Sequence, residues 1–167
     1  ALSVSGTSNI GANVTTSGTQ TYAGAVTLSG GDRVLTGTTI NTQSTLAGGG
    51  NALTITGVAD IDGSFTGLTT LSVSGASNIG ANVTTSGTQT YAGAVTLSGG
   101  DRTLTGSTVN TQSTLAGGNN ALIITGAADI DGAYTGLTTL SVSGTSNIGA
   151  NVTTSGTQTC AGAVTLS

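Results

Sequence analysis

Leu2-Ser3-Val4-Ser5-Gly6 returns as Leu71-Ser72-Val73-Ser74-Gly75, and again as Leu140-Ser141-Val142-Ser143-Gly144. Leu2, Leu71 and Leu140 are evenly spaced, so the pentapeptide opens a repeating unit that runs from Leu2 to Thr70. Residues 2–70 and 71–139 are full copies that differ at nine positions, and 140–167 is part of a third. Self-similarity at a fixed period marks an architecture in which each unit buries its apolar face by stacking on the next. The chain is therefore read as a single continuous β-solenoid over 1–167. Because it opens and stops in mid-pattern, the expectation is a stretch of something longer.

Inside the unit, Val26-Thr27-Leu28-Ser29-Gly30-Gly31 resembles Thr45-Leu46-Ala47-Gly48-Gly49-Gly50, and each is followed by a second short run ending in Thr-Gly. A third segment runs from Leu68 through Asn82 to Gly93. Three coils of about 23 residues would fill the unit, a size suited to a β-helix coil. At a strand spacing of ~4.8 Å the chain would then be a rod about 35 Å long.

Apolar and hydroxylic residues alternate along the strands. Val26 and Leu28 flank Thr27, Leu53 and Ile55 flank Thr54, and Leu71 and Val73 flank Ser72. Period two is the pattern of a strand buried on one face. The copies support the facing. Thr54 becomes Ile123 and Val34 becomes Thr103, as outward positions tolerate, while Leu53, Ile55, Leu28 and Leu35 persist as Leu122, Ile124, Leu97 and Leu104. Ile40 becomes Val109, an exchange an interior accepts for about 0.5–1.5 kcal/mol. The 29 glycines cluster where the path must bend, and Asp32, Asn51 and Asn120 sit beside them as residues that tolerate left-handed backbone. Proline is absent, leaving every N–H free to pair between coils. A Thr-, Ser-, Gly- and Val-dominated chain is a poor helix former. A disordered linker is the alternative, but disorder goes with low hydropathy and high charge, and here mean hydropathy is +0.25 with 5% charged residues.

Composition excludes several functions. With two arginines, no lysine and a net charge of −4, no basic patch exists to displace counterions from nucleic acid or to bind an anionic membrane surface. No apolar run is long enough to span a bilayer. There is no His and no Glu, and one Cys, so neither a Ser-His-Asp triad, nor a Cys-His pair, nor a zinc site can be assembled. No catalytic, cofactor-binding or metal-binding residue is assigned, and the chain is read as a non-enzyme. Cys160 takes the place of Tyr22 and Tyr91 and is read as a repeat variant.

Weaker features suggest other chemistry. Asp60 and Asp62 recur as Asp129 and Asp131; carboxylates two apart on a strand share a face and could hold calcium, although calcium wants six to eight oxygens. Asp32-Arg33 and Asp101-Arg102 read as local surface pairs worth under about 1 kcal/mol. Asn13-Val14-Thr15, Asn82-Val83-Thr84 and Asn151-Val152-Thr153 match the glycan-acceptor pattern. Tyr22, Phe65, Tyr91 and Tyr134 are read as rings plugging coil corners, with the Phe65/Tyr134 exchange near solvent. Outward threonines such as Thr15, Thr16, Thr19, Thr21, Thr38 and Thr39 raise ice binding as the alternative to a fibre.

Stretches such as Val26-Thr27-Leu28-Ser29-Gly30-Gly31 and Ala52-Leu53-Thr54-Ile55-Thr56-Gly57, in a lysine-free sequence rich in Thr, Gly and Asn, resemble giant bacterial surface proteins: the filamentous-haemagglutinin-like adhesins and autotransporter passenger domains. That resemblance implies a right-handed parallel β-helix, export across the outer membrane, and a structural or adhesive role at the cell surface. Bare strand edges with few charges and no proline predict self-association into filaments. Host or neighbouring cell surfaces are the other expected partners.

Overall fold

The computed structural model describes all residues, Ala1–Ser167. It is all-β, with 21 strands and no helix. Every pairing between strands is parallel. The strands stack as three faces of a rod. On face one, Leu2, Gln20, Ile40, Ala59, Ser77, Val95, Leu115, Tyr134 and Val152 follow one another as direct partners. On face two the series is Ser8, Val26, Leu46, Phe65, Val83, Leu104, Ile124, Val142 and Cys160. On face three it is Val14, Leu35, Ile55, Val73, Tyr91, Thr111, Ile130, Ile148 and Leu166. Each series has nine members, so the chain makes nine coils, and the rod is about 40 Å long at ~4.8 Å per coil.

The class is a parallel β-solenoid, as the alternation predicts, but the coil is shorter than one third of a unit. Val4, Tyr22, Thr42, Ile61 and Ile79 are successive partners. Bonded groups on adjacent coils give the step: Asp60 and Asn78 are 18 positions apart, Asn41 and Asp60 are 19 apart, and Asp32 and Ala52 are 20 apart. A face needs only a short strand to pair and a few residues to turn the corner. The longer coils take up their extra residues at glycine-rich corners: Gly30 and Gly31 have φ of 73° and 119°, and Gly49 and Gly50 have φ of 60° and 79°. In the second copy Asn119 stands where the first has Gly50, and it keeps the left-handed backbone with φ 62°. Asn51 and Asn120 serve the same corner differently, each donating its amide to a carbonyl three residues back, Gly48 at 2.8 Å and Gly117 at 2.9 Å.

One consequence of the shorter coil is that the unit does not close on the face where it began. Leu2–Val4 lies on face one, Leu71–Val73 on face three and Leu140–Val142 on face two. The unit therefore covers eleven faces, or three and two-thirds coils.

The interior is a single column, made mostly of Leu, Ile and Val. Leu35, Leu46, Ile61, Val83, Leu104, Leu115 and Ile124 are each 0% exposed. The outward positions are where the copies vary: Ile123 is 44% exposed at the place of Thr54. The aromatic rings are not corner plugs near solvent. Phe65, Tyr91 and Tyr134 are 0% exposed; Phe65 and Tyr134 stack in line with Val83 and Leu115 of adjacent coils, and Tyr91 lies between Val73 and Thr111. A tyrosine hydroxyl fits inside because it has a partner. Tyr134 Oη lies 2.8 Å from Thr111 Oγ1, whereas in the first copy Phe65 has no hydroxyl and Thr42 makes only a 3.4 Å contact to the Asp60 carbonyl.

Three inward serines, at equivalent places in the three copies, lack such partners: the hydroxyls of Ser8, Ser77 and Ser146 are buried and unbonded. A stranded buried hydroxyl costs about 1–3 kcal/mol. Ser77→Ala removes it while leaving the volume nearly unchanged. We expect a stabilisation of about 1 kcal/mol, seen as a rise in melting temperature; a fall would show that the hydroxyl has a partner in solution.

Candidate functional site

The polar groups of the rod fall into three arrangements, and each is built from the register. The first is an outward ladder. Asn41, Asp60 and Asn78 are successive partners on face one. The Asn41 amide donates to Asp60 Oδ2 at 2.5 Å and the Asn78 amide donates to Asp60 Oδ1 at 2.8 Å. The second copy repeats it on face three, where Asn110 and Asn147 donate to Asp129 at 2.5 and 3.0 Å. Each carboxylate thus ties together three coils. Asp62 lies past the strand end and is exposed; local desolvation and the neighbouring Asp60 charge raise its carboxyl above the usual range. No group of three or more His, Cys, Asp or Glu side chains is gathered anywhere. Asp60 and Asp129 lie on different faces, so these two carboxylates cannot serve one ion.

The second arrangement is a corner clamp that takes the place of the expected ion pair. Arg33 Nη1 donates to the Asp32 backbone carbonyl at 2.7 Å, not to its carboxylate. Its Nε donates to the Ile10 carbonyl at 3.3 Å, and its Nη2 donates to the Ser29 carbonyl. The Asp32 carboxylate accepts the Ala52 N–H of the following coil at 2.8 Å. Arg102 and Asp101 repeat the pattern with Ile79, Ser98 and Ala121. A guanidinium offers five donors in a fixed fork, enough to reach several carbonyls around the wide glycine corner at once; the Ile10 carbonyl also accepts the Ser29 N–H at 3.0 Å. Asp32 lies just before the strand that Arg33 opens, and its carboxylate serves the following coil while the guanidinium reaches back to the preceding one.

The third arrangement is internal. Gln20 is 0% exposed. It donates to the carbonyls of Val14 at 3.1 Å and Thr36 at 2.8 Å, and accepts the Tyr22 hydroxyl at 2.8 Å. Gln89 and Tyr91 repeat this. Burial raises the Tyr91 hydroxyl pKa well above its ordinary value, with the neighbouring Tyr134 adding to it. Sequence reading passed over both glutamines. Their signal was the Gln-x-Tyr spacing, which puts an amide and a phenol side by side on the inward face of one strand.

The remaining candidates are dispersed. Cys160 is half-buried on the last coil, above Val142. Asn13 and Asn82 have their side-chain oxygens accepting the N–H of Val34 at 2.9 Å and Thr103 at 3.0 Å, in exposed surroundings. Outward hydroxyl residues form short runs: Thr84, Thr105 and Thr125 on face two, and Thr54, Ser72 and Thr90 on face three. The face-three run then meets Asn110, Asp129 and Asn147, so that face does not repeat Thr from coil to coil along its length. No helix is long and apolar enough to cross a membrane.

The chemistry of the rod is thus coil-to-coil hydrogen bonding, and its functional groups tie coils together without converging on one cleft. The chain matches no protein-family model, no curated protein and no solved structure.

Proposed function

We propose that the chain is part of a structural or adhesive fibre displayed outside the cell, resembling a bacterial surface stalk, with further copies of itself as its first partner. The observation that supports this reading most strongly is the unbroken parallel ladder. Nine coils repeat the same pairing, and the polar side chains that are most bonded, Asp60, Arg33 and Gln20 with their copies, all act between coils. In such a rod each added unit lengthens the ladder without altering the fold, and stability grows as a sum of neighbour contacts. A surface of Thr, Ser and Asn with 5% charged residues offers hydrogen bonds and little electrostatic selection, which suits a spacer or a broad, weak adhesive surface.

The test is electron microscopy of the purified chain together with retention of chain-coated beads on cells. Unbranched filaments of constant width with a ~4.8 Å axial repeat, and beads that stay bound, are expected. Discrete rods of about 40 Å at every concentration, with no bead retention, would overturn the reading.

A further inference from the structure

We infer that the repeating unit propagates as a threefold screw, so that a longer chain presents every surface feature on all three sides in turn. The inference rests on strand register and is independent of the fibre reading. Eleven faces per unit is one short of four full coils, so each copy sits one face back from its predecessor around the rod. The opening pentapeptide occupies the faces in that order: one, three, two. The Asn-Asp-Asn ladder obeys the same rule, on face one at Asp60 and on face three at Asp129. Three and two-thirds coils advance the unit by about 18 Å, and three units return it to its starting face after about 53 Å.

The interior tolerates this turn because each residue keeps its neighbours. Leu2 meets Gln20 on face one, Leu71 meets Gln89 on face three, and Leu140 meets Gln158 on face two. The core never registers which side it faces. The outward ladder does. Along one face the series of outward residues runs through the whole unit before repeating, so no face can become uniformly Thr or uniformly acidic. A rod with an integral number of coils per unit would have one side rich in a feature and two sides without it. This one has three equivalent sides, and a partner that recognises the ladder finds it from any direction at a spacing of about 53 Å along each face.

Spin-label distances on this chain test the screw. In a Cys160→Tyr background, which restores the residue of the other copies, Ser72→Cys with Ser141→Cys marks two equivalent outward positions. Thr90→Cys with Thr165→Cys marks two outward positions on face three that are four coils apart. The axial offsets are about 18 and about 19 Å, so a longer distance in the first pair reports rotation around the rod. We expect the first distance to exceed its axial offset of about 18 Å, because those labels are also displaced across the rod, and the second to stay near about 19 Å. Thr27→Cys with Thr96→Cys, a second equivalent pair on faces two and one, should match the longer value and guards against a local folding defect. Equal distances in all three pairs would place the copies on one face and overturn the screw.

Discussion

Gly126→Val is expected to unfold the coils on both sides of it. A side chain at residue 126 would place its Cβ 1.8 Å from the Gly106 carbonyl oxygen, and the backbone there has φ 132°, a region open to glycine and closed to other residues. Residue 126 belongs to a spine: Gly87, Gly106, Gly126, Gly144 and Gly162 stack at one corner, each built against the backbone of the coil before it. The first copy has the same spine one corner away, at Gly18, Gly37, Gly57, Gly75 and Gly93. Carbonyl contact and forbidden φ act together, so we expect a loss above about 4 kcal/mol, in the extreme tail for single substitutions. Because contacts in a solenoid are local, melting should split into two transitions and not shift as one. Gly6→Ala is the control, since a Cβ there meets nothing within 4 Å, and it should change stability by less than about 1 kcal/mol. Equal melting of the two variants would refute the spine.

Gln89→Leu should cost about 4 kcal/mol although it puts a hydrophobic residue into a hydrophobic core. The Gln89 amide donates to the carbonyls of Val83 and Thr105 at 3.1 and 2.7 Å and accepts from Tyr91 at 2.9 Å. Leucine removes this partner from all three groups, of which the Thr105 carbonyl keeps a 3.5 Å contact from Thr85 Oγ1, and each buried group left stranded costs about 1–3 kcal/mol. The pair is a unit, so its parts do not add. Tyr91→Phe should cost about 1 kcal/mol alone but recover about 1 kcal/mol on top of Gln89→Leu, because there it removes a phenol that is already orphaned. Chemical denaturation of the four members of this cycle supplies the numbers. Strict additivity would mean that the two side chains do not communicate.

The pattern of apolar and hydroxylic residues determines facing with little ambiguity, because burial is decided residue by residue. Leu53, Ile55, Leu104 and Ile124 are inward and Thr54 and Ile123 outward, as alternation and copy comparison require. Coil length is a different kind of property. Dividing the unit into three equal coils assumes that it ends on the face where it starts, and no interaction enforces that. A parallel strand pairs with whatever lies one coil away. The sub-repeats at Val26 and Thr45 already stand one coil apart, with the Val26 N–H donating to the Thr45 carbonyl. Side-chain partnerships were the least legible. Asp32 and Arg33 are neighbours in sequence, yet their side chains serve different coils. The burial of Tyr134 depends on Thr111, 23 residues earlier, and Asp60 finds its partners 19 residues before and 18 after. Such contacts follow from the register, so they become visible only once the coil length is known.

Disulfide trapping measures that length directly. Ser72 and Thr90 are partners on adjacent coils, with Cα atoms about 4.8 Å apart, inside the window of about 4.4–6.8 Å that a disulfide spans. In the Cys160→Tyr background, Ser72→Cys with Thr90→Cys should oxidise within single molecules to a closed loop and raise the melting temperature. Ser72→Cys with Thr96→Cys, the outward position beside Val95, which three equal coils per unit would set against Ser72, should keep both thiols free. Closure of the second pair in place of the first would contradict the nine-coil solenoid.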